Sequence, residues 1–209
     1  MSGWRISVYD AEPGAGGLVL PPGLPRFVYV RDGEARLEDG TVLGAGDGRF
    51  LPTGARISGG TLWLYEAGPH ASFLEGAGIS LVLSRPLALE RAETRLLRAD
   101  RIESRSGSVT PRHFHRGPGI RRVLYGSILG QIGDHWDRFD AGRAWFESGT
   151  EAVVGRNVHS GNSAFIRLLV LPISLQGERT SFVATDVAEA AKPRAVQNRI
   201  FAEVTVPAA

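Results

Sequence analysis

The chain contains no cysteine among its 209 residues. That excludes disulfides, thiolate zinc sites and a cysteine nucleophile, and leaves imidazole and carboxylate as the groups from which a metal site would be built. Lysine is nearly absent: Lys192 stands alone against 23 arginines. Arginine stays charged across the accessible range, so little titrates between the histidines and the tyrosines. The isoelectric point near 9.4 therefore reflects a flat titration curve, because the net charge is only +2. No basic block stands out, which leaves no footprint for nucleic acid. Long apolar runs are missing too. The best candidate, 79–89, is broken by Ser84, Arg85 and Pro86, which excludes a transmembrane helix and a membrane partner. The start of the chain, Met1-Ser2-Gly3-Trp4-Arg5, lacks the basic and apolar regions of a secretory signal, so the expected compartment is the cytoplasm.

What is abundant is glycine, with 27 residues, and proline, with 12, in a chain that is 43% hydrophobic. That proportion suits a packed core made of short strands and many turns, not a helical bundle. Strand-like runs recur at 26–31, 34–38, 49–51, 61–66 and 79–84, with Asp32-Gly33, Asp39-Gly40 and Gly59-Gly60 between them. Residues 1–25 read as an arm or edge strand. A strand over 94–103 leads into further runs at 108–115, 120–131, 136–140, 144–147, 152–159 and 165–171. One short helix is expected at 187–192, with Asp186 as its N-cap, Glu189 completing the capping box and Pro193 beyond its end. Residues 45–52 and 141–148 form a weak internal repeat, each preceded by a glycine at similar distance, Gly33 and Gly126. The expected architecture is all-β, with two β units at 1–88 and 89–209.

The segment Pro111-Arg112-His113-Phe114-His115 carries the most chemical information. In a strand, residues two apart face the same way, so His113 and His115 place two imidazoles side by side. Glu147 shares a face with Trp145, and a Trp on a barrel strand tends to face inward. A His, His, Glu set would then have open positions for a ligand. Gln131 is a weaker alternative, and Glu147 could equally be a carboxylate paired with an arginine.

The spacing around this segment resembles the cupin superfamily of small β-barrels. Gly107 precedes His113 by five intervening residues, Gly126 closes that first motif, and Gly142 and Asn157 bound the second. The resemblance covers about 107–171 well, and 26–66 looks like a second, degenerate copy, as in the bacterial two-barrel cupins. It implies two jelly-roll barrels and a divalent metal, Fe, Mn, Ni or Zn. Several family positions depart from the pattern. Gly119 stands where the family has Glu, Val153 where it has the third His, and Ser148 where it has Pro.

If position 119 faces inward, strand parity turns Arg121, Val123 and Tyr125 inward too; if 153 does, so does Asn157. Arg121, Tyr125 and Asn157 then suit a small anionic ligand. An inward Arg needs a counter-charge, either a bound anion or Glu147 itself. A slip of one residue would instead turn Arg122 inward. The first half offers His70, in a turn, and Ile57 where the family has a metal-binding His, which marks it as a structural partner. Two functions follow. One is a metal-dependent oxygenase or isomerase using His113, His115 and Glu147. The other is a metal-free cupin that binds a ligand or serves structure. Covering of edge strands makes a homodimer the expected assembly.

Overall fold

A computed structural model of the chain describes residues 3–14, 16–69, 73–89 and 93–207; His70 lies outside these. The described residues form 19 strands, one short 3-10 turn and one helix. No helix among them is long and apolar enough to cross a membrane. The chain divides into two compact units, residues 1–94 with 202–209, and residues 95–201.

In the first unit the strands are β1 (Trp4–Ala11), β2 (Leu18–Val19), β3 (Arg26–Asp32), β4 (Glu34–Leu37), β5 (Val42–Gly44), β6 (Gly48–Leu51), β7 (Arg56–Ser58), β8 (Thr61–Pro69) and β9 (Ile79–Leu87). They form one sheet in the order β6-β3-β8-β1-β9 and another in the order β2-β7-β4-β5. The sequence places residues 1–25 in an arm or at an edge. Instead β1 pairs on both sides, with β8 and β9, and is buried almost throughout. The reason lies in its composition. Trp4, Ile6, Val8 and Tyr9 are large, apolar and of high strand propensity, which outweighs the Gly-Pro segment that follows.

The second unit holds β10 (Arg95–Ser104), β11 (His113–His115), β12 (Gly119–Tyr125), β13 (Ser127–Ile132), β14 (His135–Asp140), β15 (Ala144–Glu147), β16 (Val153–Asn157), β17 (Ser163–Pro172) and β18 (Phe182–Ala184); β19 (Val196–Val206) begins in it. One sheet runs β15-β12-β17-β10 with β19 at the edge, and the other β14-β13-β16-β11-β18. Thus β3, β8, β1 and β6 correspond to β12, β17, β10 and β15, and β2-β7-β4-β5 corresponds to β11-β16-β13-β14. The weak sequence repeat is a repeat of topology.

The expected strand over 120–131 is two strands. Gly126 separates them with φ of 81°, a conformation other residues adopt only under strain. A Cβ there would also lie 2.1 Å from the Ser163 hydroxyl oxygen. Gly33 does the same work between β3 and β4, with φ of 75°. The helix α1 (Val187–Ala190) is shorter than expected, but its cap is the one the sequence indicates: Asp186 Oδ1 accepts from the Glu189 amide at 2.8 Å.

Candidate functional site

Register assembles the site. On the sheet of the second unit, Asp100 lies opposite Arg167, Arg167 opposite Arg121, and Arg121 opposite Trp145. These four strands therefore carry one row of side chains across the same face. One step along, Gly119 lies opposite Glu147. His113 comes from the facing sheet, opposite Val153 on β16 and Ala184 on β18. The two sheets enclose a cavity of about 180 Å³ whose walls include His113, His115, Arg121, Trp145, Glu147, Arg167, Ser181 and Phe182. That volume admits a small organic molecule together with water.

The two imidazoles stand edge to face, with ring centroids 4.9 Å apart. The His113 ring stacks on Phe182 at 4.4 Å. Its Nδ1 lies 2.7 Å from the Pro111 carbonyl, which can only accept, so Nδ1 carries the proton and Nε2 is the bare nitrogen. His115 Nδ1 meets the Ser181 hydroxyl at 3.2 Å, and its Nε2 lies 3.4 Å from Glu147 Oε2. Burial lowers the pKa of both rings. For His113 it outweighs the Pro111 carbonyl and Glu147, which act the other way. For His115 the guanidinium charges of Arg121 and Arg167 push further in the same direction. Both rings are neutral at neutral pH.

Glu147 is held on three sides. The Trp145 indole donates to its Oε1 at 2.9 Å, and Arg121 Nη2 and His115 Nε2 approach its Oε2 at 2.5 and 3.4 Å. The close approach of Arg121 is an ion pair without hydrogen-bond alignment, so both Nη2 and Oε2 are buried atoms lacking a hydrogen-bond partner. The other terminal nitrogen of Arg121, Nη1, donates to the Gly119 carbonyl at 2.6 Å. Arg121 is 1% exposed, and burial lowers its pKa to about 10 despite the opposing pull of Glu147. Arg167 differs. Burial works against its charge, but a two-pronged pair with Asp100, at 2.9 and 2.6 Å, raises its pKa above the ordinary value. Arg156, Arg179 and Arg194 are exposed and complete the lining, in which Glu147 is the one carboxylate among the described residues.

The structure thus brings together four of the residues singled out from the sequence: His113, His115, Glu147 and Arg121. Arg121, not Arg122, faces the cavity; Arg122 Nε donates to the Gly142 carbonyl at 2.9 Å instead. Asn157 reaches the cavity wall, but its amide is fully engaged. Nδ2 donates to the carbonyls of Ser104 and Gly161, and Oδ1 accepts from the His159 amide and the Ser163 hydroxyl. It latches a loop. Tyr125 is not part of the lining. The pairing of β12 with β17 shifts between Val123 and Tyr125, which breaks the parity that would have turned it inward. Its hydroxyl accepts from Arg101 Nη2 at 2.7 Å. Gln131 lies in the lining with its amide donating to the Gly133 carbonyl.

Sequence reasoning missed Arg167, Asp100, Ser181 and Phe182. The first two had a signal. Each is a charge inside an apolar run, Leu96-Leu97-Arg98-Ala99-Asp100 and Phe165-Ile166-Arg167-Leu168-Leu169, and buried charges come in pairs. Ser181 and Phe182 had none, because they reach the site only when β18 folds back beside β11.

The residues present do not fit a divalent metal. No group of three or more His, Asp or Glu side chains among the described residues is arranged to hold one. The oxygen that would complete a set with the two histidines, Glu147 Oε2, is in contact with a guanidinium. A second guanidinium, Arg167, stands close enough to lower the His115 pKa. A dication there would have to share or take Glu147 Oε2 from the Arg121 guanidinium, which is electrostatically unfavourable.

No protein-family model matches the chain, and no curated protein sequence does. Solved structures do. The chain is similar to AerE from Microcystis aeruginosa, with 14% identity and a TM-score of 0.57 over 81% of this chain and 88% of that one. A cupin 2 conserved barrel domain protein from Leptotrichia buccalis matches with 15% identity and a TM-score of 0.51 over 81% and 85%. Oxalate decarboxylase from Bacillus subtilis, described with Mn(II) centres, matches with 10% identity and a TM-score of 0.57 over 92% and 74%. At such identities the likeness is one of fold. Together with the repeated strand order, it shows that the chain has the cupin fold, as two jelly-roll barrels with one short helix.

Proposed function

We propose that the second barrel binds a small organic anion through arginine, without a metal. The observation that carries this reading is the buried Arg121 Nη2 beside Glu147 Oε2, each without a hydrogen-bond partner and both on residues that line the cavity. The two atoms touch as an ion pair without hydrogen-bond alignment, and a ligand oxygen aligned with Nη2 would give that donor a better partner. A carboxylate oxygen would serve Nη2, and a hydroxyl on the same molecule would serve Oε2. Arg156, Arg179 and Arg194 add positive charge that draws an anion in. Trp145, Phe165 and Ile128 offer an apolar wall for the body of the ligand.

The metal-dependent oxygenase or isomerase reading needs a third protein ligand, and Glu147 is committed to Arg121. Oxalate decarboxylase shares the fold and is described with Mn(II) centres, at 10% identity to this chain. Calorimetric titration with salicylate, benzoate and benzamide tests the proposal. Salicylate should bind more tightly than benzoate, and neutral benzamide at least tenfold more weakly than either. Equal binding of benzamide and benzoate, or no binding of any carboxylate, would refute it.

A further inference from the structure

The cavity already holds a cation against Glu147, the carboxylate beside the two histidines. Glu147 Oε2 lies 2.5 Å from Arg121 Nη2 and 3.4 Å from His115 Nε2, and the bare Nε2 of His113 belongs to the neighbouring ring. We propose that the guanidinium of Arg121 is the resident cation of this site, excluding divalent metals while offering its own N–H groups to an anionic ligand. The second half of that statement rests on the anion-binding reading above; the first half does not.

The backbone supports the exchange. Position 119 has no side chain, and Arg121 uses the space. A Cβ on Gly119 would lie 3.2 Å from Arg121 Nη1 and 2.6 Å from the Leu168 carbonyl oxygen. The Leu168 carbonyl bars a side chain at 119 in this backbone, and Arg121 Nη1 fills the space a carboxylate there would need. The Gly119 carbonyl accepts from Nη1 and fixes the guanidinium in that place. The barrel itself does not require a charge there. Val28 holds the corresponding register position in the first unit, opposite Leu64 as Arg121 is opposite Arg167. A guanidinium cannot be chelated away, and it delivers donors in a fixed plane suited to a carboxylate.

The test is zinc titration of the tag-free full chain, by calorimetry and thermal melting, for the natural protein and for Arg121→Met. The natural protein should take up no stoichiometric Zn²⁺. Arg121→Met leaves the Glu147 carboxylate without its counter-charge beside two neutral imidazoles. It should bind one Zn²⁺ at least tenfold more tightly than the natural protein. Zinc at ten times its Kd should raise the variant's Tm by roughly 5 °C. Adding His115→Ala should abolish that gain. Salicylate binding, lost in Arg121→Met, should return on adding guanidinium ion.

Uptake of one Zn²⁺ by the natural protein, lost in His113→Ala/His115→Ala, would overturn the proposal. So would an Arg121→Met variant no more responsive to zinc than the natural protein. Should that variant not fold, Arg121→Lys keeps a cation in place and should exclude zinc; zinc binding by it would count against the guanidinium's neighbour-independent charge as the cause. If zinc behaves as expected but salicylate never binds, the anion-binding reading fails and the resident cation stands. If salicylate binds and zinc occupies the natural site, the reverse holds.

Discussion

The two barrels use the same strand order and register but place polar groups one row apart. In the second unit the row Asp100–Arg167–Arg121–Trp145 is charged; its counterpart in the first is Tyr9–Leu64–Val28–Arg49. The next row reads Arg98–Leu169–Gly119–Glu147 in the second unit and Ser7–Glu66–Arg26–Leu51 in the first. In the first unit Val28, Leu51, Leu64, Ile57 and Leu20 merge into one apolar cluster. Its charged pair, Arg26 with Glu66, is sealed at 2.9 Å and capped by the Tyr9 hydroxyl, which donates to Glu66 at 2.7 Å. Burial raises the pKa of Glu66 in spite of both partners, and burial with Glu66 raises that of Tyr9 to about 12. Here both Glu66 oxygens and Arg26 Nε and Nη1 have aligned partners. In the second unit the corresponding space is a cavity with an unaligned pair. The same scaffold is closed by apolar residues in one half and held open by arginines in the other.

The sharpest way to break this contrast is to give the second barrel a residue of the first. Glu147→Leu, copying Leu51, would leave the buried Arg121 without a counter-charge. It should cost about 3–5 kcal/mol in urea unfolding. The double substitution Arg121→Val with Glu147→Leu should recover most of that loss, since the two side chains touch and their effects are coupled. A double variant as unstable as the single one would mean that the pair is not the source of the cost. In the first barrel, Tyr9→Phe removes one donor from buried Glu66 and should cost about 1–3 kcal/mol in the same measurement. A negligible change would show that the Arg26–Glu66 pair needs no cap.

A smaller effect concerns pH. Both cavity histidines have folded pKa values below the ordinary 6.5. As pH falls through 6.5, the unfolded chain takes up protons on them while the folded chain does not, so stability should fall with acid. Above that pH the contribution is complete and flat. His115→Leu should flatten the decline between about pH 6.5 and 5, read from urea midpoints across that range. An unchanged slope would place the dependence elsewhere. The smallest effect is expected of Tyr125→Phe. Its hydroxyl meets Arg101 outside the cavity, so stability should move by about 0.5 kcal/mol or less and salicylate affinity should not move. A tenfold loss of affinity would return Tyr125 to the site.

Much of the second barrel was legible because strand chemistry is local. The i, i+2 spacing put His113 and His115 on one face, and the step from Trp145 to Glu147 did the same on β15. Gly142 lies in an expected break between strands, whereas Gly126, read as inside a strand over 120–131, separates two. Tyr125 failed because strand parity holds only while the ladder is unbroken, and a register shift at a bulge leaves no mark in periodicity. Asn157 reached the predicted wall, but its role as a latch depends on carbonyls at Ser104 and Gly161, far from it or across a turn. The first strand was misjudged because glycine and proline after it outweighed a run of strand-forming residues.

The sequence by itself determined an all-β chain with two units, a histidine pair on one face of a strand, and a basic inventory that is arginine but for Lys192. These follow from composition and from the two-residue period of a strand. Only the tertiary structure decided that Arg121 meets Glu147 and that Arg167 meets Asp100. It alone carried Ser181 and Phe182 back to the histidines. Such contacts depend on the register between strands tens of residues apart, and no local pattern encodes that alignment.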